Sequence, residues 1–425
     1  MSAARSLWER ILQSVADAGL TLRENLAAAP IHKLCRELVS VRGEASGSAI
    51  SREIARRYSA LSSEGRVRFF ASLLGAEWLA DRDEILRLAR AYHSDPTADE
   101  LGKLHRASEP RCLELFRRLN AGPRGTETIL RMRRDLLEVL PAHPELEPLN
   151  AALLQLLCAW FNAGFLELRR IDWRTPPVIL EKLMQYEAVH PILGWPDMRR
   201  RLQRDRRCFA FFHHALVDEP LIFVQVALTI GVPGAVQPLL DVSKEPLDPA
   251  LADTAVFFSI SNCQEGLRNV AFGAFLLKQV IHELRQERLH VKRFVTLSPV
   301  PGFRRWLTKQ SPELAAIDPT AALPAEKQAL LVACARYLTS TGPGGRALDP
   351  VTHFHLSNGA SIGRINWMGD ASAKGLDQSL GLMVNYFYRM HRIERNHERY
   401  VNESYVTISS RVRSLLAEEP VSRGR

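Results

Sequence analysis

TAVFFSISNCQEGLRNVAFGAFLLKQVIHELRQ, from Thr254 to Gln286, holds three kinds of local signal in one stretch. Thr254 to Ser261 is dense in β-branched and aromatic residues, which predicts a strand. Phe272 to Gln286 spaces its apolar residues for one face of a helix, and Arg293 to Leu297 is a short buried-type strand. The three form a β-α-β unit. Between strand and helix lies NCQEGLRNVAFG, a loop that opens directly into a helix N-terminus. Unpaired first-turn amides, the helix dipole and the Arg268 side chain can converge there on a diphosphate. In Arg268-x-x-Ala271-x-Gly273 the two small residues let backbone approach phosphate closely. The spacing is neither G-x-G-x-x-G nor a P-loop, which counts against nicotinamide dinucleotides and ATP. A connection whose glycines only satisfy turns has the same spacing, so the motif alone leaves both readings open.

Outward from this unit, Arg207 to Phe212 and Leu221 to Thr229 read as neighbouring antiparallel strands joined by the turn-like His214 to Pro220. Val351 to Leu356 and Ser361 to Trp367 flank Ser357-Asn358-Gly359-Ala360, and Asn-Gly predicts a hairpin with His353 and His355 on one strand. A last long helix is expected from about Ser372 to Met390, carrying Tyr386 and Tyr388. From Ser6 to about Leu168 the apolar spacing is helical throughout, with breaks at Ala29-Pro30, His93 to Pro96, Gly122 to Gly125 and Pro141 to Pro144. That predicts a bundle of about seven or eight helices whose Arg and Glu residues form solvated faces. The expected architecture is multidomain, with an all-α helical bundle over 1–165 followed by an α/β domain with a mixed sheet over 166–425.

The chain has 425 residues, 46% hydrophobic and 24% charged, enough for two or three cores and unlike a disordered chain. Lys and Arg exceed Asp and Glu by 56 to 47, a net +9 that suggests an anionic partner. The basic residues are scattered and not interleaved with aromatics, so nucleic acid is not the expected partner. Six widely spaced cysteines without a CxxC pair fit a reducing compartment. The most apolar stretch, Ala151 to Phe165, is interrupted by Gln155 and Asn162 and is shorter than the roughly 20 residues of a membrane span. The N-terminus lacks a continuous apolar run, and a cytoplasmic protein is the expectation.

The Arg268-x-x-Ala271-x-Gly273 spacing resembles the CoA-binding motif of the GNAT acyltransferase superfamily. Four longer segments, His190 to Leu228, Phe257 to Leu284, FVTLSPVPGF from Phe294 and FHLSNGASIGRINWMGDASAKGL from Phe354, together resemble the malonyl-CoA decarboxylase family. The resemblance implies an N-terminal helical domain and a C-terminal GNAT-like, acyl-CoA-binding catalytic domain. It further implies that Arg268, Asn269, Val270, Ala271, Phe272, Gly273 and Ala274 bind CoA, and that Ser298 and His355 are the catalytic pair. Ser259 and Tyr388 match active-site neighbours. Animal members carry a glutamate where this chain has Ala271, so no acidic function transfers to that position. A homotetramer built from dimers is also implied.

Loss of CO2 from a malonyl thioester leaves an enolate whose electrons the thioester carbonyl accepts, so no metal, biotin or pyridoxal phosphate is expected. The protein has to orient the carboxylate, stabilise a developing oxyanion and protonate carbon. A serine at a strand end and a histidine able to exchange a proton near neutral pH suit those tasks. An acyltransferase on the same scaffold, a nucleic-acid-binding protein and a helical scaffold with a decayed catalytic half are the competing functions.

Overall fold

The computed structural model describes residues 29–40, 43–270, 275–287 and 290–417. The beginning of the expected helical region, from Ser6, and the predicted loop residues Ala271, Phe272, Gly273 and Ala274 lie outside the described residues. The chain divides into two compact units, one containing Met1–Phe161 together with Gln264–Ala271, the other Asn162–Cys263 with Phe272–Arg425. The division falls a few residues before the expected boundary at 165, and the phosphate-loop segment groups with the first unit although its flanking strand and helix belong to the second.

In the first unit the described residues form eight α-helices between Ile31 and Trp160. Several start where sequence supplies a cap: Ser62 accepts from Gly65 N–H, Asp81 from Asp83 and Glu84, and Thr97 from Glu100. Ile54, Phe70, Phe116, Leu136 and Leu153 are fully buried, each side chain contributing roughly 1.5–3 kcal/mol. The charged faces carry pairs one helical turn apart, such as Arg87–Glu84 at 2.6 Å and Lys103–Asp99 at 2.8 Å, exposed contacts of small energetic weight. Gly266 is pressed against the helix Gly125–Val139: a Cβ there would lie 2.2 Å from the Leu130 carbonyl oxygen. Buried Arg133 of that helix donates to the Gly266 carbonyl at 2.6 Å and to Asn150 Oδ1 at 3.3 Å. The helical unit therefore holds the start of the predicted CoA loop.

The second unit is built on eight described strands: β1 Leu166–Ile171, β2 Arg206–His213, β3 Pro220–Thr229, β4 Thr254–Asn262, β5 Arg293–Thr296, β6 Ser298–Pro299, β7 Ser361–Asn366 and β8 Met383–Phe387. Their order is β1-β2-β3-β4-β5-β8-β6, with β7 also on β8. The β2–β3 hairpin is antiparallel as expected, and β4 and β5 are parallel, from Thr254↔Arg293 to Phe257↔Thr296. Helix Phe275–Gln286 is the crossover such a parallel pair requires. Every residue of β2 is buried and only Thr229 of β3 is not, and their centres, Cys208 to Phe212 and Leu221 to Val224, are unbroken apolar runs.

Where β4 and β5 separate decides the position of the site. Val226 pairs with Phe257 but Gln225 with Ser259, so Phe258 is an extra residue in β4, a bulge that bends the strand. Leu297 N–H still donates to the Phe257 carbonyl at 2.9 Å, and from Ser298 onward the chain pairs with β8 alone. The sheet forks at this point.

Three sequence expectations need correction. Leu166 to Ile171 is a strand, so the helical pattern ends a little before Leu168. The predicted Asn-Gly hairpin does not form: Pro350–Ser357 is a helix, and only β7 of the two expected strands exists. Gly359, at φ +80°, closes that helix, with Gly359 N–H on the Leu356 carbonyl and Ala360 N–H on that of His355. This is the paired-bond helix stop that glycine permits, not a hairpin turn. The expected helix from Ser372 to Met390 is a short helix, Ala373–Ser379, followed by Leu380 and Gly381 at positive φ and then β8. Tyr386 is thus a strand residue, and Tyr388 follows directly on β8.

Candidate active site

Thr296 ends β5, Ser298 begins β6, and alternation puts both side chains on one face of the sheet. The helix Pro350–Ser357 lies on that face. Asp349 caps it, accepting from Thr352 N–H at 2.8 Å, and Pro350 occupies its first position, where a missing N–H is harmless. This geometry aims His355 at the fork. Ser298 Oγ lies 2.9 Å from His355 Nε2 and 2.9 Å from Thr296 Oγ1. His355 Nδ1 lies 2.8 Å from Tyr388 Oη. Ser298, His355 and Tyr388 are all buried.

Burial pushes the His355 imidazole down to about 3 and the Tyr388 phenol well above its usual range. The imidazole is therefore neutral and carries one N–H. With the proton on Nδ1 the ring donates to Tyr388 and accepts from Ser298, whose hydroxyl then turns its proton away from Thr296 Oγ1. With it on Nε2 the ring donates to Ser298 and accepts from Tyr388. The same two hydroxyls satisfy either tautomer, so a proton can enter one end of the line and leave the other without the ring turning.

Tyr386 packs against His355 and bonds Thr296, the residue beside Ser298 in the fork. Its ring stacks on His355 with centroids 4.4 Å apart and planes at 29°, and its backbone N–H donates to Thr296 Oγ1 at 3.1 Å. Asn385 Nδ2 donates to the Thr296 carbonyl at 2.8 Å.

Ser259 is not part of the line. Its hydroxyl donates to the buried carboxylate of Glu187, at 2.8 and 2.7 Å from the two oxygens. Glu187 also accepts from Ser261 at 3.0 Å, Gln225 at 2.9 Å and the amides of Val189 and His190 at 2.8 and 3.1 Å. These bonds fix the chain turn before His190, whose imidazole burial pushes down to about 4. Lys374 donates to the Ala188 and Val189 carbonyls of the same turn. Arg268 and Asn269 are exposed, Asn269 at φ +66°, and Val270 is buried within the loop segment of the helical unit.

Of the cavities in the sheet unit, one of about 520 Å³ is lined by Pro301, Gly302, Arg304 and Pro350, next to the segments that carry Ser298 and His355. A larger one, about 830 Å³, is lined by Ile230, Pro233, Arg364 and Trp367 and touches neither residue.

Comparison with known proteins puts a family to this geometry. The family model for the malonyl-CoA decarboxylase C-terminal domain matches residues 164–425, and that for the N-terminal domain matches residues 78–161. The chain belongs to the malonyl-CoA decarboxylase family. The mitochondrial malonyl-CoA decarboxylase of Anser anser anser is 32% identical over 419 residues, covering 87% of this chain and 83% of that one. The crystal structure of malonyl-CoA decarboxylase from Rhodopseudomonas palustris is 43% identical and superposes with a TM-score of 0.83 over 90% of this chain and 98% of its own. The enzyme from Agrobacterium vitis, also 43% identical with a TM-score of 0.83, covers 91% of this chain and is itself covered completely, at 100%. The helical unit followed by a mixed-sheet unit is thus the arrangement that the resemblance implied.

Proposed function

We propose that this chain decarboxylates malonyl-CoA to acetyl-CoA and CO2, and that Ser298 and His355 handle the proton. The buried line from Ser298 through His355 to Tyr388, at the fork of the sheet, carries the proposal. As the bond to the carboxylate breaks, its electron pair moves onto the thioester oxygen, CO2 leaves, and the enolate carbon takes one proton. Ser298 orients the departing carboxylate and passes the proton to carbon, and His355 restores it to Ser298 from Nε2. A negative enolate beside the imidazole favours its charged form, so the ring that is neutral in the free protein becomes an acid when the reaction needs one. Each turnover draws its proton from solvent. The thioester is its own electron sink, so the mechanism needs no metal, biotin or pyridoxal phosphate.

Arg268 through Ala274 are proposed to bind the CoA diphosphate, with the exposed guanidinium of Arg268 as a donor. A homotetramer in the cytoplasm belongs to the same proposal. Six free cysteines fit a reducing compartment, and no helix among the described residues is long and apolar enough to cross a membrane.

The test is incubation of purified protein with malonyl-CoA in D2O without an acceptor, with products read by mass spectrometry. Acetyl-CoA carrying one deuterium, with stoichiometric CO2, is expected. An intact thioester that is consumed only when an amine is added would instead make the protein an acyltransferase.

A further inference from the structure

Tyr386 touches His355 directly and Ser298 only through Thr296, and its own position is set from outside the pair. Its hydroxyl lies 2.7 Å from Thr352 Oγ1, and Thr352 Oγ1 donates to Asp349 Oδ2 at 3.0 Å. Asp349, Thr352 and Tyr386 are completely buried. Asp349 belongs to the start of the His355 helix and Tyr386 to strand β8, so the three side chains tie helix to sheet one turn before His355. The segment that leaves Ser298 closes the same spot: a Cβ on Gly302 would stand 4.0 Å from Asp349 Oδ1 and 2.3 Å from Tyr337 Oη.

We propose that the relay Asp349–Thr352–Tyr386 is a positioning device of the reaction, holding the Tyr386 ring under the imidazole so that His355 Nε2 stays within hydrogen-bond reach of Ser298. It deepens the assignment of His355 to the chemistry and rests on it. Helix capping alone needs the Asp349 contact with the Thr352 amide and makes no use of the Thr352–Tyr386 bond. Loss of that bond frees the tyrosine ring to slide on β8. A displacement of about 1 Å is enough to lower turnover by up to about a hundredfold while substrate affinity stays the same.

The relay works through an ionised carboxylate, since a carboxylate accepts from both the amide and the hydroxyl of Thr352. Burial pushes the Asp349 carboxyl up to about 6, against the lowering effect of the Thr352, Val351 and Gly302 donors. The other groups facing it are Cys334 and Tyr337 on helix Pro324–Thr339 and Tyr386 on β8, whose titrations burial pushes above their usual ranges. Arg305 acts on Tyr337 from the helix Phe303–Gln310. Cys334, Tyr337 and Tyr386 are pushed up and His355 is pushed down, all away from 6.

The experiment compares Thr352→Val, Thr352→Ser, Tyr386→Phe and Asp349→Asn with the parent protein, measuring kcat and KM for malonyl-CoA across pH, with folding checked by circular dichroism. Asparagine keeps the helix cap, so Asp349→Asn retains its fold. Expected are a loss of kcat of about tenfold or more in Thr352→Val and Tyr386→Phe, KM within about twofold, and recovery in Thr352→Ser. The parent's kcat falls below pH about 6 and that limb is missing from Asp349→Asn. Parent-like kcat in Thr352→Val, no recovery in Thr352→Ser, a change confined to KM, or an unchanged acid limb in Asp349→Asn each overturns the relay. His355→Ala separates the two ideas: normal turnover there removes the assignment beneath, whereas loss there with normal turnover in Thr352→Val removes the relay alone.

Discussion

A buried neutral imidazole makes stability depend on pH in a direction and amount that can be calculated. Unfolded His355 titrates near about 6.5. In the folded protein burial pushes it down to about 3. The folded pKa is the lower one, so the contribution to stability is complete above about 6.5 and is lost as pH falls towards 3. Each pH unit in that window is worth about 1.4 kcal/mol, so going from pH 7 to pH 5 removes about 2 kcal/mol. Other groups titrate in the same window. His190, pushed down to about 4, adds to the loss, while Asp349, pushed up to about 6, gains stability on acidification. Comparing the parent with His355→Asn cancels both. Urea unfolding of the two full-length chains at pH 7 and pH 5, followed by tryptophan fluorescence, should show the parent losing about 2 kcal/mol more than the variant. Parallel losses would mean that His355 is charged in the folded protein, and the neutral-imidazole mechanism would fail.

Arg268→Ala should weaken acetyl-CoA binding about tenfold in calorimetry with little change in kcat, because it removes a charge-assisted contact from a phosphate. Unchanged affinity would contradict the phosphate-loop proposal. Ser259→Ala takes one of several donors from Glu187 and should lower stability by about 1 kcal/mol while kcat stays within about threefold. A hundredfold fall in kcat with normal stability would return Ser259 to the chemistry.

The strand-loop-helix unit around Arg268 was legible because its signals are local: a β-branched run, a polar break and one amphipathic helix. The order of Ser298 after that unit followed from the same reading. The secondary structure around His355 is ambiguous in sequence because Asn358-Gly359 fits a hairpin turn as well as it fits a helix stop. The signal that separates the two lies nine residues upstream, where Asp349-Pro350 is a cap followed by a first-turn proline. The last helix failed for a related reason: Leu382 to Val384 is continuously buried, and such a run shows neither period clearly. Glu187 had no sequence signal at all. Its donors Gln225, Ser259 and Ser261 lie 38, 72 and 74 residues away and meet it only once the sheet has formed. Thr352 and Tyr386 were hidden likewise, since a strand placed beside a helix is what brings their hydroxyls together.

The central claim is that Ser298 and His355 act as one proton-handling unit on malonyl-CoA. The most direct test is a double-mutant cycle in kcat, with Ser298→Ala, His355→Ala and the double variant, and acetyl-CoA formation read by mass spectrometry. Each single change should lower kcat by about 10²–10⁴, and the double variant should be no slower than the slower single one, because either loss disables the whole unit. Near-normal turnover in either single variant, or losses that multiply in the double, would contradict it.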